Sequence, residues 1–137
     1  MCRFCGERAW DIVLFGYGIV MRIWDIKPER LCRKHLLGEH RELHAIWSIL
    51  TKNKKGYSRH PETLRWKGKL RALYKRHGLL VNEFERRRYK HRSELEKRYA
   101  KGSFRQGVFI NTYREQLDIL RRKKCDCKVG NNKDFVG

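Results

Sequence analysis

Residues 31–50 read Leu31-Cys32-Arg33-Lys34-His35-Leu36-Leu37-Gly38-Glu39-His40-Arg41-Glu42-Leu43-His44-Ala45-Ile46-Trp47-Ser48-Ile49-Leu50. At about 100° per residue, Leu31, Cys32, Leu43, Ile46, Ile49 and Leu50 fall into one stripe, which Leu36 and Trp47 widen. Pro28 suits a first helical turn and the polar loop Thr51-Lys52-Asn53-Lys54-Lys55-Gly56 stops the pattern, so the spacing predicts a helix over about 28–50. Working outward, a second helix starts at Pro61, carries Trp66, Leu70, Leu73, Leu80, Val81 and Phe84 on one side, and fades into Arg86-Arg87-Arg88-Tyr89. Residues 90–107 have weak periodicity, with one helical turn around Leu95. A third helix begins at the cap candidate Asn111, has Glu115 in its first turn, and sets Tyr113, Leu117 and Leu120 on one side. No stretch alternates with a period of two, and no repeat of 20 to 50 residues is present. The fold class is therefore all-α, a single compact domain of three main helices with long connections.

The 137 residues include 34 Lys or Arg against 15 Asp or Glu, a formal net charge of +19. With 40% hydrophobic and 12% aromatic residues the chain has the means to build a core, which a disordered basic tail lacks. A positive excess of this size on one domain serves to hold a polyanion, because phosphate contacts release counterions, and nucleic acid is the leading partner. The longest apolar run, 12–21, is interrupted by Gly16 and Gly18 and is too short to cross a bilayer. With Glu7 and Asp11 around it, it is also a poor secretory signal, so the reading is an intracellular protein, of cytoplasm or nucleoid, with no membrane partner.

Arg3 and Arg8 balance Glu7 and Asp11, so the whole charge excess lies beyond Val20. Residues 1–20 read as an extension, 21–124 as the helical domain and 125–137 as a tail. Met21 stands at the first junction and is the expected start of the functional chain. The five cysteines Cys2, Cys5, Cys32, Cys125 and Cys127 do not form a secreted disulfide framework. They read as free thiols. The alternative is a four-thiolate zinc site from Cys2-x-x-Cys5 and Cys125-x-Cys127, and no metal or other cofactor is assigned.

Chemistry is most visible in His35, Glu39 and Glu42, at i, i+4 and i+7 inside the stripe that the first helix should bury. Burying a carboxylate costs several kcal/mol, of order ~3–5, unless it is paired or protonated. Either a buried network with Arg22 or another basic residue meets these groups, or a cleft opens over this face and a carboxylate does acid–base work on a bound polyanion. Phosphate-cradling glycine loops, H-E-x-x-H and paired aspartates for two magnesium ions are absent from the sequence. Cys32 shares a face with His35 but reads as a core thiol rather than a nucleophile. Basic residues fall in three batches, two of them around an aromatic as suits phosphate contact and base stacking: Lys52, Lys54, Lys55 and Arg59 around Tyr57; Arg86, Arg87, Arg88, Lys90 and Arg92 around Tyr89; and residues 121–124, which close the third helix.

Met21-Arg22-Ile23 followed by His35-Leu36-Leu37-Gly38-Glu39-His40-Arg41-Glu42-Leu43 resembles the opening of the phage-type pyrimidine dimer DNA glycosylases, often called phage endonuclease V. That family begins with a short Arg-Ile lead and a helix bearing His-Leu-x-x-Glu-x-Arg-Glu-Leu. Lys69-Leu70-x-x-Leu73-x-Lys75-Arg76, with Glu83 beyond, resembles its second long helix, so the similarity spans about 21–89. The resemblance implies a small helical repair enzyme that removes a damaged base from double-stranded DNA, nicks the resulting abasic site and acts as a monomer without cofactor. Its nucleophile would be the α-amine of a processed N-terminal residue, here aligned with Met21, which attacks the deoxyribose C1′ to form an imine. Glu42 matches the assisting glutamate, Arg41 and Arg22 match basic residues that meet DNA, and His35 matches a histidine near the abasic sugar. His44, adjacent on the helix, joins the expected DNA-binding set. A protein of another class, a non-catalytic DNA- or RNA-binding protein with the same fold, is the alternative.

Overall fold

The computed structural model describes residues 21–91 and 93–129. Four helices build it: α1 (Arg33–Thr51), α2 (Pro61–Trp66), α3 (Leu70–Arg86) and α4 (Tyr113–Arg122), with short 3-10 turns at Pro28–Arg30 and Lys97–Tyr99. Among the described residues there is no strand, only one isolated antiparallel bridge between Lys69 and Gly102. The all-α fold of three main helices is the one expected. α1 packs chiefly on α3, and α2 bridges the two.

Two breaks subdivide what periodicity alone reads as continuous helix. In the first, Leu31 and Cys32 are extended, so the turn at Pro28 is 3-10 and α1 begins afresh after Cys32. The carbonyls left over by this break are taken by a distant side chain: the Arg87 guanidinium donates to the carbonyls of Leu31 (2.6 Å), Pro28 (3.3 Å) and Glu29 (3.3 Å). In the second, the chain turns at Gly68, whose φ of +76° is a conformation that glycine adopts without a Cβ penalty. The freed N–H groups at the start of α3 find partners in the irregular segment: Arg71 donates to Lys101 O at 2.9 Å and Ala72 to Ser103 O at 3.1 Å. Gly102 lies so close that a Cβ there would sit 2.2 Å from the Gly68 oxygen, which is why that crossing needs glycine. The third helix starts one residue past the expected site. Thr112 is its N-cap, and a capping box joins Thr112 and Glu115 in both directions.

The central feature is the lead-in. Residues 21–26 form neither helix nor strand and run into the core, with Met21, Ile23, Trp24 and Ile26 all buried. A buried segment of this kind must find partners for its backbone elsewhere. Side chains supply them: Ile23 N–H donates to Glu62 Oε1 (2.9 Å), Trp24 N–H to Glu39 Oε1 (3.2 Å) and Asp25 N–H to Gln116 Oε1 (2.8 Å). Arg65, also buried, donates to the Ile23 carbonyl at 2.8 Å and pairs with Glu62 and Asp25. The chain from Cys125 to Val129 packs back on the core, with Lys128 N–H donating to the Arg30 carbonyl at 2.7 Å, a docking for which the sequence gives no signal.

Glu62→Leu is expected to cost about 3–5 kcal/mol, because it strands the Ile23 N–H and leaves the buried Arg65 with one carboxylate fewer. Urea unfolding measures this. Glu96→Ala, which removes only the exposed pair with Arg98, is expected to leave the midpoint nearly unchanged.

Candidate active site

α1 carries two buried carboxylates one turn apart, Glu39 and Glu42, and their surroundings differ sharply. Glu39 is fully enclosed and saturated: Arg76 of α3 donates from Nε to Oε2 at 2.6 Å and from a terminal nitrogen to Oε1 at 2.9 Å, while Trp24 N–H donates to Oε1. The same Arg76 also holds the Ile26 carbonyl at 2.8 Å. Burial pushes the Glu39 carboxyl up from its ordinary range, and the Arg76 guanidinium opposes that push. This is the buried network that the sequence offered as one of two explanations for the stripe carboxylates, with Arg76 as the basic partner.

Glu42 has none of this. It is 6% exposed, and its carboxylate makes no hydrogen bond or ion pair with any described residue. Burial raises its pKa to about 7, and the adjacent Arg41 draws it only part of the way back. A carboxyl that titrates near neutrality is suited both to take and to give a proton.

Of the other residues singled out in the sequence, Met21 is buried, with the Thr63 hydroxyl donating to its sulfur at 3.4 Å. Arg22 is half-buried, lies 5.0 Å from the Trp24 ring centre and donates to Asn111 Oδ1 at 2.8 Å. Arg41 is half-buried beside Glu42. The two histidines enter separate clusters. His35 Nδ1 lies 3.2 Å from both Cys32 Sγ and Cys127 Sγ, with its ring edge-on to Trp24. His44 Nε2 lies 3.2 Å from His40 Nε2 and 3.1 Å from His77 Nε2, and His91 meets the rings of His40 and His77 edge-on. Burial and the other imidazoles hold His40 down to about 3 and His77 to about 4, and burial lowers His44 as well, so these three imidazoles are neutral at physiological pH. Sequence reasoning missed the quartet, although His40-x-x-x-His44 at helical spacing was a usable signal. The proposed partners of Cys125 and Cys127, Cys2 and Cys5, lie outside the described residues.

The basic batches divide. Lys52, Lys54, Lys55 and Arg59 are exposed, as are Arg122, Lys123 and Lys124. Arg86 and Arg87 instead pair with Glu83, Arg87 at 2.6 Å, so part of the second batch is structural.

The family of pyrimidine dimer DNA glycosylases matches residues 21–97, which spans the lead-in, α1, α2, α3 and the start of the irregular segment. The chain belongs to that family. DNA is accordingly its class of substrate, and no described helix is long and apolar enough to cross a membrane. No curated protein and no solved structure matches the chain.

The Glu42 carboxyl makes stability pH-dependent in a definite direction. Its pKa of about 7 lies above the ordinary 4.5, so between these values the folded chain holds a proton that the unfolded chain has released. That contribution is complete below about pH 4.5 and is lost as pH rises through about 7, by up to ~3 kcal/mol. Glu42→Gln is therefore expected to unfold at higher urea than the parent at about pH 8, with the difference vanishing near pH 4. Glu39→Gln, which loosens Arg76 and the Trp24 N–H, is expected to destabilise at both.

Proposed function

We propose that the protein is a DNA-repair glycosylase with abasic-site lyase activity on ultraviolet-induced pyrimidine dimers or a related damaged base, with Glu42 as the proton carrier and the α-amine of Met21 as the nucleophile in a chain that begins there. The observation that carries this reading is Glu42: a buried carboxyl without a hydrogen-bonding partner among the described residues, poised near pH 7, on the first helix of a chain in this family. A carboxylate placed only for stability would be held as Glu39 is held. Support for Met21 comes from the lead-in, whose Ile23, Trp24 and Asp25 N–H groups are pinned by Glu62, Glu39 and Gln116, and from the family match, which starts at residue 21.

The steps follow from these groups. An α-amine has an ordinary pKa of about 7.7–8.0, so a useful fraction is neutral at physiological pH, and Arg22 beside it favours that fraction. The amine forms a bond to C1′ as the glycosidic bond breaks, and the base departs with a proton. Loss of the amine proton and opening of the C1′–O4′ bond give the imine. The Glu42 carboxylate, which offsets the positive charge developing on sugar and imine, then takes a C2′ proton as the 3′ phosphate leaves by β-elimination. Water releases the nicked product. Reaching C1′ inside a duplex requires the nucleotide to leave the stack, and the exposed lysines and arginines supply phosphate contacts to hold the distorted duplex.

Incubation with abasic-site duplex and borohydride is expected to trap a covalent protein–DNA adduct with the chain that starts at Met21 and not with the chain that starts at Met1. Equal trapping by both would move the amine to a lysine. Glu42→Gln should lower nicking by about 10²-fold or more while leaving duplex binding nearly intact. Near-normal nicking by that variant would discard the mechanism. Affinity should fall with salt at a log–log slope of about −0.9 for each phosphate neutralised.

A further inference from the structure

The geometry points to a zinc ion held by Cys32, His35, Cys125 and Cys127, which fastens the chain after α4 to the start of α1. One ligand atom from each of the four lies within 4.8 Å of all the others. His35 Nδ1 is 3.2 Å from two sulfurs at once, Cys32 Sγ and Cys127 Sγ. An imidazole nitrogen has one in-plane lobe, either a proton or a lone pair, and can satisfy only one neighbour with it. A cation at the centre of the four atoms satisfies all of them. Tetrahedral zinc, with Zn–S of about 2.3 Å and Zn–N of about 2.0–2.1 Å, separates its ligand atoms by about 3.5–3.8 Å, so the two His35–sulfur separations need to open by only a few tenths of an ångström, and every other pair already lies within 4.8 Å.

The backbone at the start of α1 is already turned toward this site, with the Cys32 N–H donating to Cys127 Sγ at 3.0 Å. Zinc entering three thiols and one neutral imidazole displaces three protons and leaves the site with one net negative charge. Lys34 and Lys123 are the charged groups near enough to act on His35, and they offset it. Four protein ligands close the coordination sphere, so the ion is structural.

A different observation carries a second site of the same kind, a zinc ion among His40, His44, His77 and His91, whose ligand nitrogens also lie within 4.8 Å of one another. His44 Nε2 meets two other Nε2 atoms at 3.1 and 3.2 Å, and one lobe again cannot serve both. His91 Nε2 is sealed from solvent with no hydrogen-bond partner. Four imidazole nitrogens around zinc would stand about 3.4 Å apart and would tie α1, α3 and the chain beyond α3 together.

The full chain, purified without a histidine tag from zinc-supplemented cells, is expected to hold both ions by elemental mass spectrometry. Cobalt replacing zinc should give tetrahedral ligand-field bands and a thiolate-to-cobalt charge-transfer band. Cys127→Ser should lose one ion and that band, and His91→Gln should lose one ion and keep the band. The double variant Cys2→Ser/Cys5→Ser should keep both ions. Wild-type protein with no thiolate-to-cobalt band, with an intact mass two hydrogens short from a disulfide, or with zinc that departs in the Cys2/Cys5 variant overturns the first site. Metal content unchanged by His91→Gln overturns the second.

Discussion

The backbone of residues 23–25 has to be hydrogen-bonded inside an all-helical core, and the buried side chains of Glu39, Glu62, Arg65 and Gln116 meet that demand. A helix satisfies its own N–H groups and a strand borrows its neighbour's carbonyls; this irregular segment has neither source. Three acceptors from three helices replace them: Glu62 of α2, Glu39 of α1 and Gln116 of α4. Each acceptor then needs its own support. Arg65 and Arg76 neutralise the two glutamates and donate onward to the carbonyls of Ile23 and Ile26, and Gln116 donates to Asp25 at 2.9 Å. The helices are thus fixed around the lead-in as much as against one another, and Met21 adjoins this pinned segment.

This arrangement separates two carboxylates that sequence treats alike. Glu39 and Glu42 share a helix face and a family motif, yet the first is consumed by the lead-in and Arg76, while the second has only the charge of Arg41 to moderate its burial. A buried carboxyl with no donor stays protonated until near neutrality, and that is a poor way to stabilise a fold and a good way to store an acid–base group. The loss of stability with rising pH and the proposed chemistry have the same origin.

The net charge of +19 works against compaction, and the structure shows where it is contained. Arg65, Arg76 and Arg87 are spent inside, each bridging carboxylates and main-chain carbonyls. The lysine-rich loop after α1 and the cations after α4 stay in solvent, where repulsion is screened and phosphate can reach them. Bound zinc would add two further constraints, the thiolate cage holding the chain after α4 to the start of α1 and the histidine cage holding α3 and the chain beyond it to the middle of α1.

The sequence by itself determined the helical class, the apolar face of α1, the loop that ends it, and the presence of two carboxylates where a core stripe should be apolar, because each of these follows from spacing along one helix. The motif around Met21 and His35–Leu43 likewise placed the chain in its family. Tertiary structure decided the rest. Whether the stretches from Pro28 and from Pro61 run on as single helices depended on whether stray carbonyls and N–H groups could find partners, and Arg87 and residues 101–103, far away in sequence, supplied them. Which glutamate is paired depended on where Arg76 lands. The gathering of Cys32, His35, Cys125 and Cys127, and of four histidines, joins positions separated by dozens of residues, and no periodicity records a distance of that kind. Local patterns are written in the order of residues, whereas these sites arise only when the chain closes on itself.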